Sequence, residues 1–164
     1  LVYGLDTQGK GSFHSMDSIL IDGELGRTIV LNRYDQKAWG MYLVFSKNWN
    51  LLGNLGLHCG ISKSLSENDD GDNDINLFFG FDKELNRSFS LLIEYDAALN
   101  DNFAEDDYPL NDITFGRGKG YLNAGVRWAI SPNLMLEINL NDINENADAE
   151  YTNREIKIMY SESF

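Results

Sequence analysis

The sequence predicts an all-β fold, an antiparallel up-and-down transmembrane β-barrel with about eight strands in one domain that covers residues 1–164. Three observations predict it. Apolar residues alternate with polar or small ones at a period of two, short and long connections take turns, and the chain has 15 Gly but only 2 Pro. No run reaches the roughly 20 apolar residues that a membrane-spanning helix needs. Strands are therefore the expected elements.

Eight segments keep the alternation without a slip, and each is predicted to be a strand with one apolar face. In chain order the apolar residues are Leu1, Tyr3 and Leu5; Trp39, Met41, Leu43 and Phe45; Leu55, Leu57, Cys59 and Ile61; Ile75, Leu77, Phe79 and Phe81; Phe89, Leu91, Ile93, Tyr95, Ala97 and Leu99; alternate residues from Leu122 to Ile130; alternate residues from Leu134 to Leu140; and Ile156, Ile158, Tyr160 and Phe164. The opposite face is rich in Gly, Ser and Asn, as expected inside a narrow barrel.

The connections alternate in length. Short links are expected at 48–53, 84–88 and 131–133, and long loops at 8–37, 66–74, 101–119 and 143–153. Outer-membrane barrels have this asymmetry, with tight turns on one side and longer loops on the other. The first long loop contains ILIDGELGRTIVL, which predicts an extra hairpin around an Asp-Gly turn.

Charge excludes one class of partner and suggests another. The formal net charge is -13 and basic residues do not cluster, so a nucleic-acid partner is not expected. Acidic residues collect in the long loops, above all at Glu67 to Asp74 and Glu105 to Asp112, which are expected to face outward and attract cations. No cofactor is predicted, and a single cysteine, Cys59, excludes an intrachain disulfide framework.

A soluble β-sandwich, or a lipocalin-like barrel with its apolar face inward, predicts the same alternation. Three features favour the membrane barrel over these soluble folds, and one of them is the alternating C-terminal segment IKIMYSESF, which ends in Phe164. The polar face has few of the Lys, Glu and Thr residues that usually cover a sheet in water. Aromatic residues such as Tyr3, Trp39, Trp128 and Tyr160 lie near strand ends, as in the interfacial girdles of membrane barrels.

The C-terminal segment IKIMYSESF, with Tyr160 and the terminal Phe164, resembles the assembly signal that the barrel assembly machinery handles in bacterial outer-membrane proteins. The segments GLDTQGKG, LVFSKNWNLLGNLGLHCGIS, FFGFDKELNRSFSLLIEYDAALND and GRGKGYLNAGVRWAISPNL resemble a group of uncharacterised bacterial outer-membrane barrels. This resemblance implies an outer-membrane location, lipid contact and further strands before GLDTQG, so the chain is expected to be the C-terminal part of a larger barrel. The departures are the insertion between Gly11 and Arg33, and Cys59 where a small residue is usual.

The inner face contains the candidate functional groups. If Ile130 faces Leu134, then Arg127 lies opposite Glu137; a similar count puts Asp82 opposite Ser90 and Phe78 opposite Glu94. The lumen-facing polar residues are predicted to be His58, Asp82, Glu94, Asp96, Arg127, Glu137 and Lys157. Two interpretations remain open. Paired charges plug an eight-stranded barrel, whereas additional strands would open an ion path along them.

The sequence offers residues for two other kinds of site, a hydrolase triad and a divalent-cation site. Ser62 and Glu94 are available to His58, but no nucleophile motif is present and no spacing predicts a triad, so the chain is expected not to be an enzyme. Asp69, Asp70, Asp72 and Asp74 could hold a divalent cation, although their order departs from an EF-hand loop. The predicted function is a porin-like passive channel; the alternative is a plugged barrel whose acidic loops bind cations, lipopolysaccharide or a protein partner.

Overall fold

The computed structural model of the chain describes residues 1–7, 9–16, 31–68, 72–102, 118–147 and 153–162. Ten strands and one short 3₁₀ helix, Leu99–Asp101, lie in these ranges. The strands are β1 Val2–Asp6, β2 Lys10–Met16, β3 Leu31–Gln36, β4 Gly40–Asn50, β5 Asn54–Ser64, β6 Asn76–Glu84, β7 Phe89–Asp96, β8 Tyr121–Ser131, β9 Leu134–Asn141 and β10 Asn153–Tyr160. The described ranges contain no helix that is long and apolar enough to cross a membrane.

Eight strands form one antiparallel meander in the order β1, β4, β5, β6, β7, β8, β9, β10. The prediction of an all-β fold with eight nearest-neighbour strands is therefore confirmed. The sheet is not closed into a barrel by hydrogen bonds, because its two edge strands, β1 and β10, are not paired with each other. Within the part of the chain that the structure describes, the eight strands form a wall whose two edges are not paired.

The predicted alternation of links is also confirmed. Only residues 51–53, 85–88 and 132–133 join the strands at one end, whereas the connections at the other end run over 7–39, 65–75, 97–120 and 142–152. The first of these long connections contains a second sheet, the hairpin of β2 and β3. The hairpin that the sequence predicts around the Asp-Gly turn falls mainly on residues 19–30, which lie outside the described residues.

The register confirms one of the predicted pairings and corrects others. Arg127 lies opposite Glu137, as predicted. The pairing of Ile130 with Leu134, from which this register was counted, was wrong, because an irregularity after Ala129 places Ser131 opposite Leu134. At the β6–β7 turn the predicted register was wrong by two residues, because Asp82 pairs with Leu92 and Phe78 with Asp96.

The longer turn between β6 and β7 has a local cause. The Asn86 side chain accepts hydrogen bonds from the backbone N–H groups of Ser88 and Phe89, and the carbonyl of Phe89 accepts from Leu85 and Asn86. An Asx turn of this kind extends the connection before the strand pairing resumes at Glu84 and Ser90.

Burial is inverted relative to a water-soluble sheet protein. Among the described residues only Ala98 and Tyr121 are buried apolar residues, whereas ten polar or charged residues are buried. The predicted apolar face is largely exposed: Tyr3 is 84% exposed, Phe79 50%, Ile138 47% and Ile158 72%. The apolar rows thus lie on the outside of the sheet, and the described residues form no apolar core beneath them.

Glycines shape the inner face. Gly4, Gly56, Gly60 and Gly125 lie opposite Tyr42, Asp82, Phe78 and Asn139. In each case the larger side chain leans over its glycine, so an added Cβ would come within 2.0–2.5 Å of it. Glycine on this face therefore provides room for the side chain of the neighbouring strand.

Candidate functional site on the inner face

The inner face of β5 to β10 surrounds a concavity of about 750 Å³. Six of the seven polar residues predicted to face the lumen line it, and only Asp96 is absent. The six are His58, Asp82, Glu94, Arg127, Glu137 and Lys157. The structure therefore brings together residues that are separated by up to 99 positions in the chain, because the meander places their strands side by side.

Arg127, Glu137 and Lys157 form a charge row across β8, β9 and β10. Register places Glu137 directly between the two cations. Arg127 Nη2 is 2.7 Å from Glu137 Oε2, and Lys157 Nζ is 3.6 Å from Oε1. The Asn139 amide donates a third contact to Glu137 at 3.0 Å. Glu137 is the buried member of the row and both cations are partly exposed, so its carboxylate is compensated while the row stays accessible to water.

His58 lies at the centre of a second chain of contacts. Its Nδ1 is 2.9 Å from Ser46 Oγ on β4, and its Nε2 is 2.8 Å from Asp82 Oδ1 on β6. These partners differ from the serine and the acid that the sequence offers to His58, which are Ser62 and Glu94. The strand register was the missing information: Ser46 is the direct partner of His58, whereas Ser62 pairs with Tyr42.

Glu94 and Asp96 differ in how they are held. Asp96 accepts hydrogen bonds from the Asn76 amide at 2.6 Å and from the Ala98 N–H at 2.9 Å, so it caps the end of β7. Glu94 lines the concavity and has no hydrogen-bond or ion-pair partner among the described residues. Of the predicted inner acids, Glu94 is therefore the free carboxylate on the wall.

Five buried charged residues lie at the end of the sheet that carries the long connections. We call Arg33, Lys37, Glu67, Asp72 and Asp101 the loop-end cluster. Arg33 is fully buried and binds Asp101 in bidentate fashion, with Nη1 2.7 Å from Oδ1 and Nη2 2.9 Å from Oδ2. Lys37 Nζ donates to the Asp72 carbonyl at 3.0 Å. The cluster joins the end of β3 to the segments that follow β5 and β7.

The expectation that the acids from Glu67 to Asp74 face outward is wrong for Glu67 and Asp72, which are both buried. Glu67 is buried and accepts from the backbone N–H groups of Tyr34, Ala38 and Trp39 and from Ser64 Oγ. Asp72 accepts from the N–H groups of Asp74 and Asn102. Both carboxylates satisfy backbone donors that no strand pairing satisfies. Residues 105–112, the other acidic stretch, lie outside the described residues.

The predicted divalent-cation site receives no support from the described part of the chain. Asp69 and Asp70 lie outside it, Asp72 is turned toward backbone donors, and Asp74 is exposed. Within the described ranges no group of three or more His, Cys, Asp or Glu side chains could hold a metal ion.

The proposed assembly signal is described only in part. Tyr160 ends β10 with 66% of its surface exposed, and its hydroxyl donates to Glu162 at 3.2 Å; Phe164 lies outside the described residues.

Comparison of the chain with protein-family models, with curated proteins and with solved structures finds no match.

Proposed function

We propose that the protein is part of an outer-membrane β-barrel that conducts ions or small polar solutes passively along its inner face. The observation that carries this proposal is the inverted burial: the apolar rows are exposed on the outside, while the buried residues are polar. A surface of this kind is costly in water, but it matches the hydrocarbon of a bilayer, with polar groups facing a lumen.

Conduction requires a closed barrel, and the proposal includes that closure. The edge strands β1 and β10 expose Tyr3 and Leu5, and Ile156, Ile158 and Tyr160, on one face. The other face is mainly polar or small, with Val2 and Met159 as its apolar exceptions. Unpaired edge strands cannot persist in hydrocarbon, because their N–H and C=O groups would lack partners. Pairing of the two edges, directly or through additional strands, satisfies them, and the 750 Å³ concavity then becomes part of the lumen.

The expected selectivity is for cations. The net charge of -13 and the free carboxylate of Glu94 both favour positive ions near the wall. Attraction by exposed loop acids weakens with salt, because the Debye length is only about 10 Å at 0.1 M ionic strength. The Glu94 contribution acts at contact distance and should persist at higher salt.

Planar-bilayer recording tests this proposal. The reconstituted protein should conduct, and the reversal potential in a KCl gradient should indicate cation preference. Glu94→Gln should reduce that preference, whereas the matched change Glu162→Gln, beyond the end of β10, should leave it unchanged. Anion preference would contradict the proposed selectivity, and detergent-free solubility of the folded chain would contradict the membrane location itself.

A second candidate is favoured by the loop-end cluster. Its buried ion pair and hydrogen bonds connect three chain segments at the long-loop end, as expected for a rigid cap. The protein would then be a plugged barrel that displays its loops to cations, lipopolysaccharide or a protein partner. Insertion into the bilayer without measurable conductance would favour this candidate over the channel.

A further inference from the structure

We propose that Ser46, His58 and Asp82 form a nucleophilic site that hydrolyses carboxylic esters with an apolar acyl group through an acyl intermediate on Ser46. This activity goes beyond passive conduction and replaces the expectation of a protein without enzymatic activity. It rests on the hydrogen bonds of His58, not on membrane insertion or on an open lumen.

The contacts of His58 determine its protonation pattern. An ionised Asp82 can only accept, so the imidazole nitrogen that faces it, Nε2, carries the proton. Nδ1 then has a free lone pair directed at the Ser46 hydroxyl, 2.9 Å away. Serine as donor, histidine as base and a carboxylate behind the histidine are the roles of a Ser-His-Asp triad, with the two ring nitrogens exchanged.

The strand pattern accounts for this geometry. Ser46 and His58 are direct cross-strand partners on β4 and β5, so their side chains project side by side from the inner face. Asp82 lies two residue pairs further along, opposite Gly56, and so on the same face as His58. A Cβ at position 56 would lie 2.3 Å from Asp82 Oδ1, so only glycine lets this carboxylate lean toward His58.

The site has room for a substrate. Ser46 is exposed, and the side chains of His58 and Asp82 are 37% and 32% exposed. On the other side of His58 lies Gly80, where an added Cβ would meet no atom closer than 3.4 Å. His58 and Gly80 line the inner concavity, and Ser46, His58 and Gly80 line a second concavity of about 680 Å³, from which an ester carbonyl can approach Ser46.

Asn48 is the candidate donor to the developing oxyanion. It follows Ser46 by two residues on the same strand face, and its side-chain oxygen Oδ1 lies 3.0 Å from the position of a Cβ on Gly56. Its amide N–H groups have no hydrogen-bond acceptor among the described residues. A side-chain amide of this kind, on the same strand face as the nucleophile, is the type of donor that stabilises a tetrahedral intermediate.

The reaction balances without a further reactant except water. Ser46 Oγ bonds to the ester carbonyl carbon while its proton passes to His58 Nδ1, and the alkoxy oxygen takes that proton as its bond to carbon breaks. Water then attacks the acyl group and gives a proton to Nδ1, and Ser46 recovers the proton as the carboxylic acid leaves. Asp82 is a positioning residue, since it touches only His58.

The wall around the site indicates the class of ester. Glu94, Asn123 and Asn139 line the same concavity as His58, and the large apolar residues lie mainly on the outer face. The second concavity, which Ser46 and His58 share, is lined mostly by apolar residues, among them Phe45, Trp49 and Leu57. The expected substrates are therefore esters whose acyl group can occupy this apolar concavity.

The test uses the full chain, folded in detergent micelles, with a fluorophosphonate probe and 4-nitrophenyl acetate. The Ser46 hydroxyl should displace fluoride from the probe, and peptide mass spectrometry should locate the phosphonyl adduct on Ser46. Ester hydrolysis should show a burst, and Ser46→Ala or His58→Asn should lower its rate by about 10²–10⁴-fold. Asn48→Ala should lower it by at least about tenfold.

Controls separate chemistry from structure. Ser62→Ala removes another inner-face serine, one without a histidine partner, and should change neither labelling nor rate. Asp82→Asn keeps a side chain of the same shape, so the fold should be retained while the pH profile of hydrolysis changes. Equal labelling of Ser46 and Ser62, or a hydrolysis rate that is the same in Ser46→Ala as in the parent chain, would overturn the proposal.

Discussion

The loop-end cluster and the middle of the sheet use the same side-chain chemistry at very different burial. In the cluster Arg33 is fully buried and its partner Asp101 has 3% of its side chain exposed. In the charge row of the mid-sheet, Arg127 and Lys157 keep 42% and 47% exposed around Glu137. Ion pairs in the cluster therefore serve folding, because they cannot exchange partners with water, whereas those of the row remain available to a solute.

The largest expected effect is at Arg33. Arg33→Met removes the bidentate partner of the buried Asp101 carboxylate and should lower the unfolding free energy by about 3–5 kcal/mol. Urea unfolding of the lipid-reconstituted protein measures this loss. The double variant Arg33→Met/Asp101→Leu should lose less than the sum of the single changes, because the buried carboxylate is then removed together with its partner. Strict additivity would show that the two side chains are not coupled.

The outer face of the mid-sheet should be the next most sensitive region. Leu91→Arg or Val126→Arg, near mid-strand, should cost about 2–4 kcal/mol in a bilayer, because the cation would face hydrocarbon. The same unfolding measurement applies. Asp74→Arg, at an exposed loop position, is the control and should cost little. Equal costs at the three positions would indicate that the outer face meets water.

The glycine contacts of the inner face provide a matched pair. Gly60→Ala should destabilise by about 1–3 kcal/mol, since the new methyl group would meet the Phe78 ring at 2.2 Å and the Leu43 carbonyl at 2.7 Å. Gly80→Ala adds the same methyl group where the nearest atom is 3.4 Å away and should be nearly neutral. Comparable losses in thermal unfolding would refute this packing of the inner face.

The smallest effect is expected in the charge row. Arg127→Ala should cost only about 1 kcal/mol, because Glu137 keeps the Asn139 amide and Lys157 as partners. The double variant Arg127→Ala/Lys157→Ala should cost more than the two single changes together, since the second loss leaves Glu137 uncompensated. A loss as large as that of Arg33→Met would remove the distinction between the two regions.

Much of the fold was predictable because strand alternation is a local property. The eight strands, their apolar faces and the alternation of short and long links follow from a period of two and from turn residues. The Arg127–Glu137 pairing was predicted correctly although the pairing next to the turn was not, because the irregularity after Ala129 changes the register only between Ala129 and the turn. The β6–β7 register was not, because the side-chain bonds of Asn86 decide the turn and sequence spacing does not reveal them.

The candidate site divides in the same way. The sequence alone determined which residues lie on the inner face, and hence that His58, Glu94 and Glu137 share it. Tertiary structure decided which of them meet. Ser46 reaches His58 through a cross-strand pairing, Asp82 leans over Gly56, and Glu67 turns inward to backbone donors of a distant segment. The face of the sheet on which a residue lies depends on local backbone geometry. The residues that it contacts depend on strand register and on the space that neighbouring strands leave, which are properties of the assembled sheet.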